Sequence, residues 1–334
     1  MNLTLNNLSS TSSLKALNEK PLLVQVVVGI LLYVNGLMIF TFLKKETFRD
    51  TRYILFAQTL FVDSALMLLT DLTLMGMFYQ YPVRMIPCCM ICSLMMLLSL
   101  CSPITLVAMC LERYVAICLP LRHASISAPK NTSIGLLIIW GVSSVLPLFI
   151  LIVCFAYLPP GVMFSYVVCS VEIMLQVKWL ADMRAATLQL LFIMMLCIIV
   201  STYIKIMIAA RSASSENKKS TNKGLKTVLL HGIQLLLCMA QLIIPYIEMP
   251  LWKLDVMLFA NVRYSNFVLF MILPRCLSPL VYGLRDKKFY NALRYYAFCG
   301  ILTFSCLINL SKKNKKKDIL SLSTAFISSR FLNV

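Results

Sequence analysis

The chain has 334 residues, of which 60% are apolar and only 13% charged. Soluble domains run at about 45–50% apolar and about 25% charged, so one aqueous core cannot hide this much apolar surface; lipid is the natural solvent, as the mean hydropathy of +0.84 also indicates. In a soluble protein the formal net charge of +18 would point to nucleic acid; here it reads as loop charge that orients membrane spans. The 13 cysteines are odd in number and mostly lie inside apolar runs. That excludes the dense disulfide framework of a small secreted domain and leaves an expectation of one extracellular disulfide. Met1–Lys20 is polar, without the apolar run of a cleavable signal peptide, so the first span is expected to act as the targeting signal.

In chain order, a polar N-terminal segment (1–21) precedes seven apolar segments that fill 22–284. They run over Leu22–Leu43, Tyr53–Met77, Pro87–Leu119, Ser133–Tyr157, Met183–Ala209, Lys226–Pro250 and Tyr264–Leu284. Each is near or above the ~20 residues that a helix needs to cross ~30 Å of hydrocarbon. Lipid offers no partner to a bare backbone amide, so these segments are predicted as helices. A barrel would instead show shorter, alternating segments. The expected fold is therefore all-α: a polytopic seven-helix bundle whose over-long third span tilts or protrudes. Residues 285–298 are predicted as a short amphipathic helix on the membrane surface. Residues 299–334 form a basic cytoplasmic tail, in which Lys312, Lys313, Lys315, Lys316 and Lys317 suit anionic lipid.

Seven spans put the termini on opposite sides, and the basic residues decide which is which. Of the 31 Lys and Arg, 23 fall on the side of the first, third and fifth connections and the C-terminus, 7 fall on the other side, and Arg275 lies within a span. That bias puts the N-terminus outside and the C-terminus in the cytosol. Asn2-Leu3-Thr4 and Asn7-Leu8-Ser9 are then glycosylation sequons on the outer side.

The third span ends in Met109-Cys110-Leu111-Glu112-Arg113-Tyr114-Val115-Ala116-Ile117-Cys118-Leu119-Pro120-Leu121-Arg122-His123. This closely resembles the MxxERYVAICxPLRH signature of odorant receptors among the rhodopsin-like G-protein-coupled receptors. Asn35-Gly36, Asp63, Trp140, Tyr203, Pro245-Tyr246 and Ser278-Pro279-Leu280-Val281-Tyr282 follow in the expected order. The resemblance covers roughly Pro21 to Phe298. It is nearest to fish-type odorant receptors, because the full mammalian signatures of spans six and seven are absent.

The resemblance implies a switch in which Arg113, held by Glu112 beside Tyr114, moves to contacts with a heterotrimeric G protein, aided by Tyr203, Pro279 and Tyr282. It also implies a disulfide between Cys88, at the outer end of the third span, and Cys169 in the second outer loop, with Cys89 as a rival for the same partner. Cys89 and Cys92 make a lone CxxC with no second pair, which does not amount to a metal site. In many such receptors the carboxylate matching Asp63 holds a sodium ion, and Ser102 fits one ligand position. Span seven departs from that pattern: Arg275 and Ser278 replace its small polar residues and Asn. An ionisable group within a span needs a partner, so Arg275 is expected to pair with Asp63, in a buried polar core that also holds Asn35. The alternative is that Arg275 turns to backbone carbonyls.

By the same resemblance, a small odorant enters the outer half of the bundle. The expected lining is Met95, Met96 and Ser99 from span three, Thr187 and Leu191 from five, Ile243, Tyr246 and Ile247 from six, and Val268 and Met271 from seven. This set is mostly apolar with a few hydroxyls, as in a small-molecule pocket. Ile243 stands where many relatives place a bulky aromatic toggle, which leaves Tyr246 and the kink at Pro245 to carry activation. The function implied is an odorant receptor of the plasma membrane, signalling through a stimulatory olfactory-type G protein and cAMP. A rhodopsin-like receptor for a lipid or peptide is the alternative. A transporter or channel is a third class, but the paired broken-helix halves of transporters are not seen. Enzymatic motifs are absent (no P-loop, H-E-x-x-H or G-x-S-x-G), only two histidines are present, and no cofactor is expected.

Overall fold

A computed structural model describes residues 24–44, 50–122, 128–175, 177–212, 228–238 and 264–277, with residues 226, 240, 258 and 262 singly. The chain divides into two compact units, Met1–Tyr282 and Gly283–Val334, and all described residues belong to the first. The predicted surface helix and tail, and the sequons at Asn2 and Asn7, lie outside the described residues.

Among the described residues, five helices are long and apolar enough to cross a membrane, and two shorter apolar ones follow. They are α1 (Val24–Lys44), α2 (Thr51–Phe78), α3 (Met85–Cys118), α4 (Pro129–Tyr157), α5 (Lys178–Ser212), α6 (Val228–Cys238) and α7 (Tyr264–Leu277). Their apolar faces look outward: Leu137, Val145 and Ile152 on α4, and Leu190, Ile193 and Met194 on α5, are all more than half exposed. Hydrocarbon covers such a surface, whereas water would not tolerate it. Hydroxyls within the helices are satisfied locally. Thr59, Thr70, Thr105 and Ser143 each donate to the carbonyl four residues back, so their hydroxyls are not left unpaired within the bundle.

The central helix is α3, which packs against α2, α4 and α5. Its 34 residues make ~51 Å of helix, well beyond the hydrocarbon thickness, so it must tilt or project. Four helices start earlier than hydropathy predicts, α4 and α5 by the most. α4 starts at Pro129, which sits at the first helical position after an extended Ala128, where its missing N–H costs nothing. α5 starts at Lys178 rather than Met183. A helix continues through the interface, where lysine and tryptophan are at home.

One feature is not helical. Between α2 and α3, β1 (Pro82–Arg84) pairs antiparallel with β2 (Tyr166–Val168) from the connection after α4, with Val83 opposite Val167. A short 3-10 turn (Val171–Leu175) then leads into α5. The connection is thus folded back over one end of the bundle.

Candidate functional site

That folded-back connection is fastened to α3. Cys88 and Cys169 form a disulfide with Cα atoms 5.4 Å apart. Cys89 is a free, buried thiol. Cys92, one turn along α3, brings its Sγ to 3.8 Å from that of Cys169. Around the bridge, Met85, Cys89, Met96, Ile150, Met174 and Leu180 make a buried cluster that joins α3, α4, the connection and α5.

Below this cluster lies a cavity of about 270 Å³. Of the residues anticipated from the sequence, Met95, Met96, Ser99, Leu191 and Met271 line it. Thr187 and Val268 do not. The Thr187 hydroxyl is turned to the Met183 sulfur at 3.5 Å, and Val268 packs toward α1 and α2 with Val24, Val28 and Met67. Ile243, Tyr246 and Ile247 lie outside the described residues. The lining also holds Leu66, Leu100, Pro103, Val171, Cys238 and Met195, together with a face of α5 formed by Arg184, Leu188 and Phe192, none of which the sequence reading had placed there. The helical spacing 184, 188, 191, 195 was the available signal. It is muted because α5 is apolar nearly all round.

Deeper in the bundle is a buried polar core. Asp63 and Arg275 are 1% and 3% exposed, with Arg275 Nε 3.9 Å from Asp63 Oδ1. That is ion-pair rather than hydrogen-bond range. The Ser102 hydroxyl donates to the same Oδ1 at 2.8 Å. Arg275 has a second role: its Nη1 donates to the Phe270 carbonyl at 3.2 Å. Pro274 has no N–H to donate just after a stretch that is π-wound over Phe267–Ile272. The ion pair and the backbone contact, weighed as alternatives in the sequence, occur together. Gln234 on α6 donates to the Pro274 carbonyl at 2.9 Å, which ties α6 to this point. Asn35, also buried, donates to the Ser64 hydroxyl at 3.0 Å. Ser278 lies outside the described residues.

At the opposite end of α3, Glu112 Oε2 stands 3.5 Å from Arg113 Nε, and both side chains are largely buried. Tyr114 and Tyr203 pack on a cluster of Val107, Cys110, Ile199, Ile206, Val228 and Leu235, which joins α3, α5 and α6. The Lys205 ammonium lies 5.3 Å from the centre of the Tyr114 ring, and the Cys118 thiol donates to the Lys205 carbonyl at 3.9 Å. Pro279 and Tyr282 lie outside the described residues.

A bundle of this kind has a roofed cavity at one end, a charged triplet at the other and a buried polar link between. Residues 34–282 match the family of seven-transmembrane receptors of the rhodopsin type, and the chain belongs to that family. It is therefore a multi-pass membrane receptor whose partners are a ligand and a heterotrimeric G protein. It is 71% identical to Odorant receptor 131-2 of Danio rerio, over 95% of this chain and 96% of that protein.

Proposed function

We propose that the protein is an odorant receptor of the plasma membrane, with its N-terminus outside and its C-terminus in the cytosol. The likeness to Odorant receptor 131-2 along nearly the whole chain carries this reading. The 23-to-7 division of basic residues supports the orientation. In that orientation the disulfide end faces outward, Asn2 and Asn7 are open to glycosylation, and the cavity lies in the outer half of the bundle.

A small odorant binds among Met95, Met96, Ser99, Leu191 and Met271, and Ile243, Tyr246 and Ile247 are further contacts that the family resemblance implies. It binds the active arrangement better than the resting one and shifts the population by that difference. The cytosolic ends of α3, α5 and α6 then open, and Arg113 leaves Glu112 for the G protein, aided by Tyr203 and Tyr282. The G protein is of the stimulatory olfactory type, so cAMP rises. Arg275 sets a cation fixed in the protein beside Asp63, so a mobile sodium ion is repelled rather than needed.

The test is a cAMP screen of transfected cells against a broad odorant panel, with surface expression verified by labelling. At least one odorant is expected to give a saturable rise. Silence across the panel at full surface expression removes the olfactory reading.

A further inference from the structure

Arg184 is the only formally charged side chain among the described residues that line the cavity. With Ser99 it also lines a second, smaller recess bounded by Leu146 and Pro147 of α4, so the two polar groups sit where the recesses meet. An arginine retained only for topology would run its stem out to the interface. Near the start of the same helix, Lys178 and Asp182 are exposed in that way, whereas Arg184 is half-buried. It lies six residues into α5, ~9 Å along the axis, on the face that continues through Leu188, Leu191 and Met195.

Building on the odorant-receptor reading, we infer that this receptor selects small anionic ligands: a short-chain carboxylate whose oxygens meet Arg184 and whose apolar body lies against Met95, Met96 and Leu191. A guanidinium stays charged at any physiological pH and presents a planar fork that matches a carboxylate. Among walls of Met, Leu and Phe, water screens that charge weakly, so an anion gains more there than it does in bulk. Arg184 already has an interaction within the protein, and the five N–H donors of a guanidinium leave capacity for a ligand. The Ser99 hydroxyl, now donating to the Met96 carbonyl at 2.8 Å, can rotate to give a carboxylate a further donor. The volume of about 270 Å³ is below the usual range for drug-sized ligands, which keeps the apolar body short.

The experiment uses the full-length receptor in two formats. Purified in lipid nanodiscs, it is heated with straight-chain carboxylates from butanoate to heptanoate, and with the matching methyl esters and alkylamines. In cells the same compounds are scored for cAMP. The expected result is thermal stabilisation by at least one carboxylate, with its ester and amine at least tenfold weaker. Arg184→Ala and Arg184→Gln should each weaken the carboxylate by roughly ten- to a hundredfold, the range for a charge-assisted hydrogen bond, while Arg184→Lys retains part of the affinity. Arg184→Gln keeps a polar stem, so it separates loss of charge from loss of folding, and surface labelling checks each variant. Esters binding as well as acids, no carboxylate binding, or an Arg184→Gln receptor that binds acids undiminished would each overturn the inference. Binding without cAMP would instead count against the signalling reading and leave the inference standing.

Discussion

The Asp63 carboxylate has one oxygen shared between the Ser102 hydroxyl and the Arg275 guanidinium, and its Oδ2 has no hydrogen-bond partner among the described residues. Two opposite charges this deep neutralise one another; either alone would stand uncompensated in a medium of low dielectric. Removing one partner of a buried pair costs about 3–5 kcal/mol, whereas replacing both by neutral groups of similar size is often nearly neutral. Asp63→Asn and Arg275→Met should therefore each lower the apparent melting temperature of the purified receptor and its surface level. The double variant should recover most of both. Strictly additive losses would mean that the two charges do not interact. Recovery will be incomplete for a separate reason, since Met at 275 cannot donate to the Phe270 carbonyl.

At the scale of elements, the loop that roofs the cavity is held by three ladder pairs and one disulfide. Cys169→Ser should free it and lower stability by about 2–4 kcal/mol. Cys88→Ser should cost less, because the Cys92 thiol, 3.8 Å from the Cys169 sulfur, can take its place. Peptide mapping under non-reducing conditions should find a Cys92–Cys169 bridge in Cys88→Ser; a free Cys169 thiol there would sink the idea. Neither the two-stranded ladder nor this second thiol was legible in the sequence. Strands of three residues carry no alternation to detect, and Val83 and Val167 are distant in the chain. The spans themselves were legible because lipid sets their length and bars other backbones. The cavity was legible only in part. Met95, Met96 and Ser99 share one helix face, but a helix apolar on all sides does not announce its rotation. Hence Thr187 turned aside to Met183, Val268 faced α1, and Arg184 looked like one more loop charge.

In the whole receptor, a ligand held between α3 and α5 must be felt where the same two helices meet again, at Tyr114, Tyr203 and Lys205. There the helices are joined by the Lys205 ammonium against the Tyr114 ring and by the cluster that α6 completes. Bundle interiors are close-packed and shift between discrete arrangements rather than deforming smoothly. The resting arrangement is thus favoured by whatever holds these ends together; we propose that the Glu112–Arg113 pair, within α3, adds to it by keeping Arg113 from the G protein. A partly buried ion pair contributes about 1 kcal/mol, roughly a fivefold bias in a two-state equilibrium. Glu112→Gln should accordingly raise ligand-free cAMP by up to about that factor and lower the ligand concentration for half-response. Arg113→Ala removes the same restraint but also the group proposed to engage the G protein. It should leave ligand-induced thermal stabilisation intact while abolishing the cAMP response. The two variants therefore separate restraint from coupling: a raised signal from one and a lost response from the other, though both break the same contact, are possible only if Arg113 has a second partner in the active state. If Arg113→Ala instead raised basal cAMP as Glu112→Gln does, the pair would be a lock alone, and the contact with the G protein would have to come from another residue of the α3–α5 end.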